Sequence, residues 1–591
     1  MKLGSYISEN VFLHIPPCLT EGKRGHEDRN DDGHDDDHSS TRHRNGSEYD
    51  NLDGETRQRE WTLTLVFFIT GNPGLIGYYR PFLSGIVENL NLDLDDQKGR
   101  HSHGHGRGRG PVVVAGFSLG GFEVESGSGQ AQGGSGSDGD GHGDGHGDGN
   151  ENENDEESQD QDAWLRELMY PSSSSSNEQV YSWPEPATRK PNCSEQRQRL
   201  YSLRDQIELS YARVEKLVSS LSTIASLGSR NEEDASSYTS RLEDKDNSSS
   251  GNANVNVILM GHSVGAYIAL EIVRLWNERL RHSHTTIQTQ THDHDHDRDQ
   301  GHEHATTVPT TTASTLNDNT STISKVLPWT PIACILLTPT IINIHESPSG
   351  RLTTPLLTTS YLSIPNLAQI LVHLQTSLLP RKALSWLIQK VTNQKQNSHG
   401  LETTVAFLTK CPMGVKQALY MAGDEMREIR GDKWGEEVWG AAAATAATAS
   451  PSTSTSTSTS TSNQSLTKSS ASPRLYFWFA KSDHWVADLT KQEIQKIKLG
   501  GGVVEKDCFR FNIPGINDYD HDHDYGNATA TAREEEVQFK QHDEPNQAPM
   551  TKICETDGLV HAWCLDQSEF VARRVSGWIR EVLLDSTNNC V

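Results

Sequence analysis

The chain predicts an α/β fold: a mostly parallel central sheet with helices on both faces, carrying a helical cap and interrupted by long polar insertions. Three observations carry that expectation. Short β-branched and aromatic runs alternate with longer segments whose apolar residues recur at helical spacing, an order that lays strands side by side through helical crossovers. One such run, Val255 to Met260, enters Gly261-His262-Ser263-Val264-Gly265 and leaves as an apolar helix. Finally, only 33% of the 591 residues are hydrophobic and they lie in islands, which suits one folded domain with polar sequence inserted into it.

In chain order, residues 1–60 are expected to be an N-terminal extension, partly disordered, before a domain over 61–584. Met1 to Ile15 has a single Lys2 and is broken by Ser5, Ser8, Glu9 and Asn10, so it lacks the apolar stretch of a secretion signal. Trp61 to Thr70 reads as a buried strand ending in the tight loop Gly71-Asn72-Pro73-Gly74. Tyr79, Phe82, Leu83, Ile86 and Leu90 then mark a helix, and Pro111 to Gly116 a second strand. From Glu123 to about Asp162 the composition falls to Gly, Ser, Asp, Glu and His, which cannot bury a core, and a disordered insertion is expected over about 123–195. Helical spacing returns over Gln198 to Leu227 and, after the elbow, from Gly265 to about Leu280. Further disordered insertions are expected at about 282–324, 441–472 and 515–550, with strands at Pro331 to Thr338 and Leu475 to Ala480 between them. Helical candidates at Asn366 to Val391 and Gly400 to Arg430 make a cap over about 343–435, and Gln567 to Leu584 is the closing helix.

Composition narrows the function classes. The net charge of −27 sits in runs such as Asp31 to Asp37 and Asp138 to Asp162, as solvated tracts do, and argues against a nucleic acid partner. Eight scattered cysteines without a CxxC pair suit a reducing, intracellular setting. The alternations at His292 to Asp297 and Asp518 to Asp524 hold metal-ligand residue types but no preorganised geometry, so no metal and no cofactor is expected. Leu352 to Pro380 carries no Asp, Glu, Lys or Arg, yet its Ser, Thr, Asn and Gln content and the breaks at Pro365 and Pro380 favour an interfacial element over a spanning helix.

The GxSxG turn carries the chemistry. A serine thrust out between strand and helix needs small residues two before and two after it, where the two backbones nearly touch; Gly261 and Gly265 supply them. A second match, Gly116-Phe117-Ser118-Leu119-Gly120, also follows a strand, but Gly121 and the sequence beyond offer no sustained apolar helix. Ser263 is therefore the expected nucleophile. A hydroxyl needs a histidine to take its proton and a carboxylate to orient that histidine, in the chain order Ser, acid, His. Asp483, just past the strand Leu475 to Ala480, and His561, just before the closing helix, meet that order. His484 is the rival base; Asp424 and Glu425 are rival acids and read more simply as the exposed face of a helix. For the oxyanion, one backbone N–H is expected from Val264 and the other from Asn72, since Pro73 has none.

These segments together resemble one family, the lipid droplet-associated hydrolases of the α/β-hydrolase superfamily. The resemblance runs through Gly71-Asn72-Pro73-Gly74, Tyr78-Tyr79-Arg80-Pro81-Phe82, Gly261 to Tyr267, Leu337-Thr338-Pro339-Thr340, Glu346 to Leu356, Asp483-His484-Trp485 and His561-Ala562-Trp563. It implies the α/β-hydrolase fold, nucleophile Ser263, acid Asp483 and base His561, and a neutral lipid ester substrate, a sterol ester or acylglycerol, in lipid storage and turnover. It also implies the lipid droplet monolayer as partner, on its cytoplasmic side, with the endoplasmic reticulum membrane as a second location. The alternative within the family is a droplet surface or scaffold protein with little turnover. Two departures stand out: His484 occupies a position where the family typically has Pro, and the polar tracts have no counterpart. Under this resemblance the apolar surface of Leu352 to Ile388 lines an acyl pocket, packs as an ordinary cap, or lies on a phospholipid monolayer with Trp386, Arg381 and Lys382 at headgroup level. The sequence sets no oligomeric state.

Overall fold

Among the described residues nine strands form one sheet: β1 (Tyr6–Ile7), β2 (Val11–His14), β3 (Leu63–Ile69), β4 (Val112–Phe117), β5 (Val255–His262), β6 (Trp329–Leu337), β7 (Arg474–Ala480), β8 (Val503–Arg510) and β9 (Thr551–Asp557). In the computed structural model their spatial order is β1-β2-β4-β3-β5-β6-β7-β9-β8. The described residues are 5–20, 62–100, 110–124, 161, 163–170, 199–228, 254–292, 327–358, 363–392, 394–396, 398–439, 472–498, 503–510 and 551–588. The pairs β1/β2 and β2/β4 are antiparallel and every other pair is parallel. Every residue of β3 is buried, so both faces of the sheet are covered there; this is why its sequence is a continuous apolar run instead of an alternating one.

The crossovers are helical. α1 (Arg80–Arg100) packs on the closing helix, while α2 (Leu203–Gly228) packs on α3 (Val264–His292), the helix that follows the elbow. The predicted stripe of α2 is the buried one: Leu203, Ile207, Tyr211, Val214, Leu217 and Leu221 all face the core. Between β6 and β7 the cap consists of α4 (Pro348–Thr358), α5 (Ile364–Leu378), α6 (Arg381–Thr392), α7 (His399–Lys410) and α8 (Gly414–Glu428). Then α9 (Asp488–Lys498) follows β7, and α10 (Ser568–Asn588) closes the chain. The break expected at Pro380 separates α5 from α6, because a proline has no N–H to continue the ladder.

Four expectations need correction. The sheet reaches into the 1–60 extension: β2 pairs with β4 with Phe12 and Leu13 fully buried, and Asn10 donates its amide to the Val124 carbonyl at 2.9 Å. The insertion expected to be disordered over 123–195 contains a short helix over 163–169 that buries Trp164, Leu165 and Leu168. Its Trp164 Nε1–H donates to Ser220 Oγ at 3.1 Å, and the buried Arg213 guanidinium donates to the Met169 carbonyl at 3.0 Å. Four apolar residues at i, i+1, i+4 and i+5 form a face despite their acidic surroundings. Further along, α3 continues to His292, beyond the expected boundary at 282. Last, β8 and β9 are strands the sequence did not announce, since Lys552, Glu555 and Asp557 interrupt the apolar signal of β9. The insertions at 441–472 and 515–550 and the His-Asp alternations at 293–297 and 518–524 lie outside the described residues.

Candidate active site

β5 and α3 meet at Ser263, whose φ of 54° places a residue other than glycine in the left-handed region. Such a conformation costs about 1–3 kcal/mol and persists only where the surroundings fix it. The two flanking glycines do so. A Cβ on Gly261 would sit 2.3 Å from the Gly265 carbonyl oxygen, and one on Gly265 would sit 2.3 Å from the Ile69 oxygen and 2.7 Å from the Thr70 oxygen. These neighbours are backbone and cannot swing away, so the strand, the turn and β3 come together only around bare Cα atoms.

The turn points Ser263 at two residues far along the chain. His561, in the loop between β9 and α10, lies with Nε2 3.0 Å from Ser263 Oγ. Its Nδ1 is 3.0 Å from Asp483 Oδ2, in the loop after β7. Asp483 Oδ1 accepts the backbone N–H groups of Trp485 at 2.8 Å and Val486 at 3.2 Å, and the carboxylate is wholly buried. Burial alone pushes the Asp483 carboxyl up, but the His561 hydrogen bond and charge, together with the two N–H groups, hold it below its ordinary value. An ionised Asp483 can only accept, so His561 carries its proton on Nδ1 and presents a bare Nε2 to the serine hydroxyl. That is the arrangement a base needs to remove the Ser263 proton.

The rival residues have other roles. His484 is exposed, and its backbone carbonyl accepts from Ser349 N–H at 2.8 Å, tying the loop of Asp483 to the cap. Ser118 is fully buried at the end of β4, its hydroxyl accepting the Ile76 N–H at 3.1 Å, and so it braces the loop after β3. Asp424 and Glu425 are not an exposed face, as expected, but are 8% and 4% exposed on α8. Asp424 accepts the Leu203 N–H at 3.2 Å and pairs with Arg427. Glu425 Oε1 accepts from the Asn72 side-chain amide at 3.0 Å, and burial pushes its carboxyl up to about 8.

Of the two expected oxyanion donors, Val264 follows the serine directly and Asn72 lies on a loop that reaches it through Gly71. Val264 begins α3, where first-turn N–H groups have no partner within the helix. Asn72 belongs to the loop whose Gly71 approaches so closely that a Cβ there would be 3.0 Å from Ser263 Cβ. The Asn72-Pro73 peptide is cis, and the Asn72 side chain also donates to the Ala418 carbonyl of α8 at 3.0 Å. A loop held from above by α8 and from below by the elbow can present fixed backbone dipoles to developing negative charge.

Three participants escaped the sequence reading. His262 and Tyr79 are bonded to each other at 2.7 Å immediately behind Ser263, and Thr340 Oγ1 lies 3.5 Å from Ser263 Oγ. His262 occupies a variable position of the GxSxG pattern, so the pattern gives it no weight. For Glu425 a signal was available: it stands four residues after the buried Met421 and four before the buried Ile429, on one helical face.

Comparison with curated proteins found no match. The model of one family, described as lipid-droplet associated hydrolase, matches residues 62–136 and 237–510, which hold the loop at Asn72, the elbow at Ser263 and Asp483, while His561 lies beyond the second segment. As those segments make up more than half of the chain, this protein belongs to the lipid-droplet associated hydrolases.

Proposed function

We propose that this hydrolase is a serine esterase acting on neutral lipid esters, sterol esters or acylglycerols, at the droplet surface. One observation carries the reading: Ser263 Oγ, the His561 ring and the buried Asp483 carboxylate are joined in a row by two 3.0 Å contacts. Ser263 attacks the ester carbonyl as His561 Nε2 takes its proton, and Asp483 stabilises the imidazolium that forms. The backbone N–H groups of Val264 and Asn72 receive the charge on the carbonyl oxygen. The proton on His561 passes to the leaving alcohol; water then attacks the acyl-serine as His561 takes its proton, and His561 returns that proton to Ser263 Oγ as the acid leaves.

For attachment, α4, α5 and α6 expose Leu352, Leu367, Ile370, Leu378, Trp386 and Val391 at 60–77%, and α5 has no Asp, Glu, Lys or Arg. Among the described residues no helix is long and apolar enough to cross a membrane, so this face suits lying on a monolayer, with Trp386, Arg381 and Lys382 at the headgroups. A face of this kind also suits the cytoplasmic leaflet of the endoplasmic reticulum. The same face favours a second reading, a droplet surface protein with little turnover. Fluorophosphonate labelling of wild type and Ser263→Ala, followed by a panel of sterol esters, acylglycerols and short acyl esters, separates the two. Labelling and turnover lost in Ser263→Ala are expected; folded wild type that binds droplets and does not label would leave only the surface role.

A further inference from the structure

Behind Ser263 lies a buried run of polar groups that the hydrolytic steps do not use. Gly71 N–H donates to Tyr79 Oη at 3.2 Å, Tyr79 Oη lies 2.7 Å from His262 Nδ1, and His262 Nε2 lies 2.8 Å from the backbone carbonyl oxygen of His561. Its two ends are fixed by chemistry. A backbone N–H can only donate and a carbonyl can only accept. His262 Nε2 therefore carries a proton and gives it to the His561 carbonyl, while Tyr79 accepts from Gly71 and gives its own proton to a bare His262 Nδ1. Every donor then points the same way, provided His262 is neutral. Burial, with a further contribution from the charge of His561, pushes His262 down to about 3, so it is neutral throughout the physiological range.

Packing holds the run in place. Trp563 meets His262 edge to face at 5.2 Å between ring centroids and Tyr79 in the same manner at 5.8 Å, and Tyr79 lies against Phe68 at 4.8 Å. Gly71 must be bare, since a Cβ there would be 2.8 Å from His262 Nδ1.

What the run connects is the reason to assign it a task. One end is the peptide group next to Asn72, the expected oxyanion donor. The other is the main chain of the base itself. In the middle stands the residue bonded directly to the nucleophile. The loop bearing His561 and the loop bearing Asn72 come from opposite ends of the domain, and a single side chain, His262, sets the distance of both to Ser263.

We propose that Tyr79 and His262 are positioning residues of this site, forming a one-way hydrogen-bond chain that fixes the oxyanion loop and the main chain of His561 to the nucleophile turn. The proposal rests on Ser263 being the nucleophile. Misplacing a reacting group by about 1 Å can cost about 10²-fold in rate, so losing the chain should appear in kcat and not in KM.

Tyr79→Phe removes only the hydroxyl; His262→Leu removes both bonds at similar volume. On a soluble short-chain ester we expect kcat to fall about tenfold or more in each, with KM within about twofold and the fluorophosphonate labelling rate falling in parallel. The double variant should lose no more than His262→Leu alone, because one chain is broken once. Hydrogen exchange by mass spectrometry provides a reading independent of turnover: His262→Leu should speed exchange in the segment 558–566, and both variants in 70–76. Single variants that keep wild-type kcat, or additive losses in the double variant, overturn the assignment. Unchanged exchange in 558–566 overturns it whether or not the protein proves to be an esterase, whereas wild type that neither labels nor turns over, with exchange responding as expected, sinks the esterase reading alone.

Discussion

Ser263 holds a left-handed backbone because the atoms around it leave no other path, and that leaves Gly261 and Gly265 no room for a side chain. Gly265→Ala drives a methyl into two carbonyl oxygens of the β3 loop, and we expect urea unfolding to report a loss of at least ~2 kcal/mol along with loss of labelling. Ser118→Ala removes a single buried hydrogen bond to Ile76 and should cost ~1 kcal/mol while labelling continues, which separates the two serines of the two GxSxG turns. Asp483→Asn keeps the shape but lets the amide donate to His561 Nδ1, which fixes the wrong tautomer. We expect kcat to fall by about 10⁴ with KM little changed in a steady-state assay. That Ser263, Asp483 and His561 come together was legible in the sequence, because a nucleophile, an acid and a base would each require a particular residue type in a particular order. Tyr79 and His262 were not: a hydrogen-bonded ring behind a site has no spacing signature, and their partners, Gly71 N–H and the His561 carbonyl, are backbone groups that any residue carries.

The cap helix α8 is where a buried helical face carries an unexpected carboxyl. Glu425 is buried against Asn72, with Asp424 adjoining, and its carboxyl is raised from an ordinary 4.5 to about 8. Between those two values the folded chain keeps a proton that the unfolded chain has released, so stability falls as pH rises through that window. Above about 8 both forms are ionised and the difference stays constant. Glu425→Gln has no proton to hold. Its melting temperature relative to wild type should therefore climb between pH 5 and pH 8 and level off beyond, as followed by differential scanning fluorimetry; a pH-independent difference would falsify the buried protonated carboxyl. The existence of the cap was legible from helical spacing between two strands, and the break between α5 and α6 from Pro380. The direction of α8 was legible only in part. Its spacing places Glu425 with Met421, but only the neighbouring loop at Asn72 shows that this face turns inward. Likewise β2 was hidden in a sequence taken for an extension because four residues beside Pro16 and Pro17 are too few for a periodic signal.

The cap helices α4, α5 and α6 leave large apolar side chains exposed, and the proposed contact of the molecule with a lipid surface rests on them. Leu367, Leu371 and Leu374 recur at i, i+4 and i+7 on α5, each more than half exposed. Full burial of a leucine side chain is worth about 1.5–3 kcal/mol, so half-immersion in acyl chains contributes roughly 1 kcal/mol for each of the three. A charge in its place adds desolvation cost to that loss. The variant Leu367→Asp/Leu371→Asp/Leu374→Asp should therefore drop at least about 10²-fold in partitioning to phospholipid-coated triacylglycerol droplets in a flotation assay. None of the three is buried, so the core and the Ser263 site should be untouched: we expect the melting temperature to change little and turnover of a soluble short-chain ester to stay within about twofold of wild type. Turnover of droplet-borne ester should fall with partitioning, since that substrate is reached only from the surface. Loss of soluble-ester turnover in parallel would instead place α5 over the acyl pocket, making the face part of the binding site and not the means of attachment.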